Sequence, residues 1–586
     1  MKKAQRASRD FERLRSQFKQ IEEIVNNTRN SNLWKHEASV RKKIKSLKDL
    51  KDKGLKDYDI VYEDYIGLLN YISQKLIELY NRRNNSSYEF EDIIKTDMKG
   101  YISSGIMSVL IKSHIPNLVA AQFEKYFPDN PKDEFEDARK IKRKFFLHLG
   151  ATNTGKTYNA LERLKTAENG VYLAPLRILA LENFEKLNRD GVPCDLLTGE
   201  EEIDVADAKH VSSTIEKLDL SREYDIAVID EIQMIENSQR GQAWTRALLG
   251  LKCPEIHVCG ALNAKELILK IIEDCGDEAE VREYHREIPL KLYDKSFELK
   301  TTVKGDALVV FSKRRVLELS KFLNEKGVKN SVIYGDLPPE VRRMQYDAFI
   351  SGENGVLVTT DAIGMGVNLP IRRIIFMDIK KFDGEDFRYL TTQEVKQIGG
   401  RAGRKGIYEV GFVGVYGPYQ PYIRECLETP DDELLEAVVG PSETILKIGN
   451  LPLNEKLALW STRQEKLDYY RKMDVSDYLL ILDSIKRYKL PEEIQYRLMK
   501  LPFDVGNPEI LASFVDYVDE IFRLNKSRVT KPLFTENTLS DLEIYYQKIN
   551  LYYSFSKNLK LSFNEQWVYD ERKNVSEKIN ELLLKL

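Results

Sequence analysis

Cysteine is scarce in this chain. Its 586 residues hold five, Cys194, Cys253, Cys259, Cys275 and Cys426. They are scattered and odd in number, and Cys253 and Cys259 lack the close pairing and histidine partners of a zinc site, so they read as ordinary thiols in a reducing interior. Long apolar runs are missing too. None approaches the roughly 18 residues that cross a bilayer, which leaves no membrane segment to expect. Met1-Lys-Lys-Ala-Gln-Arg6 is positive, but no apolar stretch follows it. Asp10, Glu12, Glu22 and Glu23 do not suit an acidic-poor organellar leader. The expectation is a cytoplasmic protein. Net charge is almost absent: 31% of the residues are charged, yet the formal charge is −3. That balance excludes histone-like binding through overall charge and still permits a locally basic channel.

What is present is a phosphate-binding loop. Gly150-Ala151-Thr152-Asn153-Thr154-Gly155-Lys156-Thr157 fits G-x-x-x-x-G-K-[ST]. Phe145, Phe146, Leu147 and Leu149 before it read as a buried parallel strand, and Tyr158–Leu164 after it continues as a helix. Strand, glycine loop and helix N-terminus together present backbone N–H groups and a positive dipole end to an anion. Lys156 then reaches the β- and γ-phosphates, and the Thr157 hydroxyl binds Mg²⁺. The chain is expected to bind a nucleoside triphosphate.

Length alone predicts about three or four domains. Residues 1 to about 57 carry about twice as many Lys and Arg as Asp and Glu. Clusters such as Arg41–Lys45 are read as a solvated helical surface or a loosely ordered basic arm, in preference to a phosphate-binding face. From about Tyr58 to Tyr126 apolar residues recur at helical spacing, and Phe127-Pro-Asp-Asn-Pro-Lys132 marks a linker. Then the pattern alternates. Apolar runs at 171–174, 226–229 and 256–259 predict one parallel sheet with helices on both faces. Runs at 307–311, 332–334, 356–359, 374–377 and 412–416 predict a second, joined to the first near 287–300. Past about Pro430 no strand pattern persists, and segments such as 477–486 and 576–586 read as helices.

Two further constellations carry chemistry. Ile226-Ala-Val-Ile-Asp-Glu-Ile-Gln233 delivers two adjacent carboxylates at a strand's C-terminal end, where ligands bind in open α/β sheets. Asp230 is expected to hold Mg²⁺, and Glu231 to position or activate the attacking water. In the second α/β domain, Gln397-Ile-Gly-Gly-Arg-Ala-Gly-Arg404 places Arg401 and Arg404 three apart, on what is predicted to be one helical face. Guanidinium forks suit the charge that develops on γ-phosphate oxygens. A loop in one domain and arginines in the next predict a nucleotide in the cleft between them.

Taken in order, 150–157, Ala174-Pro-Leu-Arg177, 230–233, Val358–Asn368 and 397–404 resemble the motifs of superfamily-two helicases. The text between them, including 191–200, 228–235 and Trp244–Gly250, is similar to the family of the ATP-dependent RNA helicase of the mitochondrial RNA-degrading complex. That resemblance runs closely from about Phe146 to Tyr416, and more weakly through Asp541–Gln547. It implies an α/β chain of two tandem RecA-like domains, 141–288 and 289–428, followed by an all-helical C-terminal domain, 429–586. It does not extend to residues 1–140, which the apolar periodicity alone reads as an all-helical N-terminal domain with a basic arm. It also implies a DExH-type motor using ATP and Mg²⁺ to unwind RNA 3′-to-5′. Gln397, Arg401 and Arg404 join Lys156 and Glu231 in catalysis, while Gly366 and Asn368 face the nucleotide or couple it to the channel. Pro175, Arg177, Thr198, Gly199 and Thr214 of the first domain line a strand-binding channel with Ser312, Lys313 and Thr360 of the second. These are mostly hydroxyls, which track sugar and phosphate or merely cap turns. Two features stand out: Gln233 replaces the histidine of the wider group, and no adenine-reading glutamine motif precedes the loop, which implies loose choice of base. Lys380–Tyr389, with Asp383-Gly384 as its turn, reads as a hairpin or an ordinary surface loop. The partners implied are single-stranded or partly duplex RNA and an exoribonuclease. A DNA or RNA–DNA hybrid helicase stays open on sequence, and so does a non-unwinding remodelling clamp.

Removing the point cation is the direct test of the loop. Lys156→Ala is expected to weaken ATP binding in a nucleotide titration, and an unchanged affinity would remove that role from Lys156.

Overall fold

Apolar runs bounded by turns become strands buried on both faces, and two parallel sheets account for most of them. The computed structural model describes residues 2–28, 30, 33–84, 87–113, 117–364, 369–382, 387–463, 465–534 and 538–585. The first sheet is built from β1 (Lys144–Gly150), β2 (Gly170–Ala174), β3 (Cys194–Leu197), β4 (Glu202–Ile203), β5 (His210–Thr214), β6 (Ile226–Ile229), β7 (Glu255–Gly260) and β8 (Glu278–Tyr284). Its order is β4-β3-β5-β2-β6-β7-β1-β8, parallel throughout except for the β3–β4 pair. The second contains β9 (Leu290–Leu292), β10 (Asp306–Val309), β11 (Asn330–Ile333), β12 (Val356–Thr359), β13 (Arg373–Phe376) and β16 (Gly411–Val415), in the order β11-β12-β10-β13-β16-β9. Between β13 and β16 in sequence, β14 (Lys380–Phe382) and β15 (Phe387–Tyr389) pair antiparallel as a separate ribbon. Of the two readings of 380–389, a hairpin or a surface loop, the paired strands of a hairpin are present; the Asp383-Gly384 turn lies outside the described residues.

Several elements depart from the sequence pattern. The basic N-terminal stretch is no loose arm: helices Lys2–Asn27 and Trp34–Lys48 bury Phe11, Leu14, Val25, Val40, Ile44 and Leu47 against Tyr65, Leu69 and Ile72 of helix Tyr58–Asn84. Phe11, Leu14, Phe18, Ile21 and Val25 form a stripe three or four residues apart, which the surrounding charges hide in bulk composition. Residues 1–128 form one compact unit together with 441–466 and 474–479. The other unit holds 129–440, 467–473 and 480–586. The segment read as a continuous C-terminal domain from 429 is thus divided between them. It also contains strands, β17 (Ala437–Val439) and β18 (Tyr470–Lys472), which pair in parallel. At three residues each they are too short to show a period. Among the described residues no helix is long and apolar enough to cross a membrane.

Within the second unit, β1 is held where the phosphate loop leaves it. A Cβ on Gly150 would lie 2.1 Å from the Tyr284 carbonyl oxygen of β8, so the two strands meet this closely only at glycine. The Tyr284 hydroxyl lies 2.7 Å from Nδ1 of His148, whose Nε2 lies 2.8 Å from Nδ1 of His257. His257 Nε2 in turn meets Glu255 at 2.9 Å. Burial, then the charges of His257 and Arg282, push His148 down to about 4. The imidazole is therefore neutral in the fold at any physiological pH.

The consequence is a pH dependence of known sign. The unfolded chain takes up the His148 proton near its ordinary value of 6.5, well before the folded chain does. Stability from this group is complete above about 6.5 and is lost as pH falls towards 4. Thermal melting across that window is expected to show His148→Phe flattening the acid-side loss, and an unchanged pH profile would rule His148 out as its source.

Candidate active site

At the end of β6 the chain turns so that Asp230 and Glu231 face the loop 150–157. Thr157 Oγ1 donates to Asp230 Oδ1 at 3.1 Å, and the Tyr172 hydroxyl donates to Oδ2 at 2.8 Å. The indole Nε1 of Trp244 donates to the Asp230 backbone carbonyl at 2.8 Å. Burial, then the adjacent Glu231 charge, raises the Asp230 carboxyl to about 6. Thr157 and Asp230 together form a hard oxygen donor set of the kind a water-clad Mg²⁺ takes. Glu231 adopts φ +52°, a left-handed conformation that a non-glycine residue keeps only when its surroundings hold it there. Gln233 supplies part of that hold: its Nε2 donates to Glu231 Oε2, while its Oε1 accepts from the Ala261 N–H at 3.0 Å. Lys156 lies folded against its own loop, donating to the carbonyls of Gly150 and, at 2.9 Å, Ala151. Burial lowers its pKa, and the Glu231 carboxylate opposes the shift.

The second domain faces this group with the turn after helix Thr392–Gly399. That helix starts in a capping box between Thr391 and Glu394 and stops at Gly399. Arg401 and Arg404 therefore project from a turn and not from the helical face that their spacing predicted. Gly403, at φ +78°, makes the turn possible: a Cβ there would meet the Gly411 backbone at 2.8 Å. Arg401 donates to the Gly364 carbonyl through Nε at 3.1 Å. Burial lowers its pKa, and Glu231 is the first charge opposing that. Lys156, Thr157, Asp230, Glu231, Gln397, Arg401 and Arg404 all line one cleft of about 1460 Å³. Gly366 and Asn368 lie outside the described residues.

Two contacts that sequence did not single out stitch the cleft together. Asn153 Nδ2 donates to the Gly400 carbonyl at 3.1 Å. Arg286, in the connection between the sheets, donates to Gly400 O at 2.6 Å, to Ala402 O and to Ile288 O at 2.6 Å, and reaches Thr152 O at 3.5 Å. One guanidinium thus ties the phosphate loop to the arginine turn. Only the pocket context marks Arg286; nothing in its local sequence does.

The expected strand-path residues are placed as follows. Pro175 is buried, and its carbonyl accepts from Arg240 at 2.6 Å. Arg177 is neutralised by Glu200 (2.6 Å), Glu201 (3.1 Å) and Glu340 of the second domain (3.0 Å), and also meets the Tyr546 hydroxyl at 3.2 Å. Thr198 donates to Glu201 O and accepts from the N–H groups of 200 and 201, a local turn. A Cβ on Gly199 would approach Pro502 at 3.3 Å, and Thr214 is buried at the end of β5. Ser312 caps a helix through Arg315 N–H, and Thr360 caps a turn through Ala362 N–H. Lys313 pairs with Glu543. Thr198, Ser312 and Thr360 thus each make a capping hydrogen bond.

Residues 131–284 match the model of the DEXQ-box helicase domain of Suv3, residues 290–406 the helicase conserved C-terminal domain, and residues 539–585 the ATP-dependent RNA helicase SUV3 C-terminal domain. The chain is 36% identical over 479 residues to the mitochondrial ATP-dependent RNA helicase SUV3 of Oryza sativa subsp. japonica, covering 76% of this chain and 80% of that protein. It is 39% identical over 414 residues to mitochondrial SUV3 of Candida albicans, covering 68% of this chain and 57% of the relative. With the mitochondrial DExH-box ATP-dependent RNA helicase DExH18 of Arabidopsis thaliana it shares 36% identity over 463 residues, 74% of this chain and 58% of that one. The chain thus spans a little over half the length of these last two.

Replacing the aimed carboxylate separates binding from turnover. Glu231→Gln is expected to retain ATP while slowing hydrolysis by about two to four orders of magnitude. Gln233→Ala, which frees that carboxylate, is expected to lose roughly ten- to a hundredfold at unchanged nucleotide affinity. Single-turnover hydrolysis beside equilibrium ATP binding reads both, and full activity in Gln233→Ala would leave the strained φ of Glu231 to other contacts.

Proposed function

The chain belongs to the SUV3-type DExQ/DExH helicase family of superfamily two, and from that premise we propose that it is an ATP-dependent RNA helicase that tracks along one strand, 3′-to-5′, and opens duplexes. The observation that carries this reading is the convergence of Lys156, Thr157, Asp230 and Glu231 of one domain with Gln397, Arg401 and Arg404 of the other on a single cleft. Phosphoryl transfer to water asks for little else: a cradle for the phosphates, an oriented water, and cations where charge develops.

In this reading the loop N–H groups and Lys156 hold the β- and γ-phosphates, and Lys156 exchanges its loop carbonyls for phosphate oxygens. Thr157 and Asp230 would hold Mg²⁺, which would supply charge neutralisation at the phosphate oxygens. Glu231, aimed by Gln233, orients the attacking water and accepts its proton. Arg401 and Arg404 meet the γ-phosphate from the second domain, so hydrolysis requires the two domains to be together and its completion frees them. Strand contacts are assigned to Pro175, Arg177, Thr198, Gly199, Thr214, Ser312, Lys313 and Thr360, a set suited to the backbone and not to base edges. An exoribonuclease is the class of protein partner assigned, and the compartment is a reducing one. Scattered thiols fit the cytosol, while the relatives named above are mitochondrial, so fractionation decides between them.

ATPase rates without nucleic acid, with single-stranded RNA and with single-stranded DNA, beside unwinding of duplexes bearing 3′ or 5′ overhangs, test this directly. RNA-stimulated hydrolysis with unwinding only from 3′ overhangs is the expected result. Stimulation without strand separation would replace the helicase by a clamp, and preference for DNA would replace the substrate.

A further inference from the structure

The two cations assigned to the strand path, one in each domain, are both met by a single helix of the C-terminal region. Helix Leu539–Asn558 is capped by Thr538, which accepts from Asp541 N–H at 3.2 Å. It presents Glu543 and Tyr546, three residues apart and hence on one face. The Glu543 carboxylate accepts from Lys313 Nζ and, at 2.6 Å, from the Tyr334 hydroxyl. The Tyr546 hydroxyl donates to Glu340 at 2.7 Å and meets Arg177 at 3.2 Å.

The pair on Lys313 is a poor device for docking a helix. Burying a carboxylate costs more than burying an apolar group of similar size. Leu542, Ile549 and Leu551, all fully or almost fully buried, supply apolar anchorage on the same helix. The charge sits in an unfavourable place: burial raises the Glu543 carboxyl above its ordinary range, Lys313 and Tyr334 oppose this, and Asp336 adds to it. The two partners also differ in access. The Glu543 side chain is 5% exposed, while that of Lys313 is 28% exposed and can be approached from solvent. An ammonium and a hydroxyl donating to one anionic oxygen pair is how a backbone phosphate is held on a strand-binding surface.

We propose that Glu543 is a resident phosphate mimic: Lys313 and Tyr334 form a site for a nucleic-acid backbone phosphate, and a strand occupies it by displacing the Glu543 carboxylate. The proposal rests on the helicase reading above and adds to it a phosphate contact, Tyr334, and a competitor carried by the C-terminal helix. A strand then enters this part of the path only as the helix yields, so binding is weaker and less salt-dependent than the cations alone would make it.

The test uses the full chain and fluorescent oligouridylate, with affinity followed against salt. Glu543→Gln keeps the shape and removes the charge. It is expected to bind more tightly, with the slope of log affinity against log salt steeper by about 0.7, the value of one added single-strand phosphate contact. Adding Lys313→Ala to that variant is expected to abolish both gains. An unchanged slope, or weaker binding by Glu543→Gln, overturns the exchange. In the unaltered chain, amide exchange across 539–558 is expected to speed up when oligouridylate binds, and unchanged or slower exchange overturns the proposal even where a variant fails to fold. A chain that binds no oligonucleotide under any salt overturns the helicase reading and the exchange with it. Binding without the slope change overturns the exchange alone.

Discussion

Two carboxylates placed side by side at the end of one buried strand are the constraint on which the second unit depends. Asp230 and Glu231 repel each other in a poorly solvated place, and the Asp230 carboxyl rises to about 6 as a result. Thr157, Tyr172 and the Glu231 N–H each donate to Asp230, which offsets part of the cost. The cations nearby face the converse problem. Lys156 and Arg401 are both pushed down by burial and both pulled back up by Glu231. One belongs to the first domain and one to the second. The Glu231 carboxylate is therefore shared by a cation from each domain.

The frame around those charges is made of short-range contacts with little tolerance. Gly150 passes the Tyr284 carbonyl where any side chain would collide, and Tyr284 is held through its hydroxyl by the His148–His257–Glu255 chain. On the other side Arg286 spans from the phosphate loop to the arginine turn. The C-terminal helices are fastened to the same frame by polar contacts. Arg572 donates to Glu200 O at 2.6 Å, Gln345 to Asn580 at 2.7 Å, and Tyr546 lies between Arg177 and Glu340. Those helices touch strand-path residues of both domains, so a change in one domain's position is felt where a strand is expected to lie.

What was legible in the chain followed from local rules. The loop 150–157 and the run 226–233 announce themselves because phosphate cradles and paired carboxylates need particular residues at fixed spacing beside a strand. The strands β2, β6, β7, β10, β12 and β13 are visible because a strand covered on both faces must be apolar along its length. β5, reading His210-Val-Ser-Ser-Thr214, was not visible, since its hydroxyls are satisfied by distant partners such as the Ala180 carbonyl. The charged edge strand β8 and the three-residue β17 and β18 were missed for want of any period.

The sequence alone determined which groups are present and in what order: a phosphate-loop motif, two adjacent carboxylates, then two arginines, because such motifs are written in local spacing and do not depend on neighbours far along the chain. Tertiary structure alone decided how these groups are aimed. That the arginines sit on a turn, that Gln233 steers Glu231, that Arg286 bridges the cleft, and that Arg177 and Lys313 are matched by Glu340 and Glu543 are facts of contact between residues up to 230 positions apart. Hydrogen bonds and ion pairs act over a few ångströms in space and carry no trace in local spacing, so only the folded chain could show them.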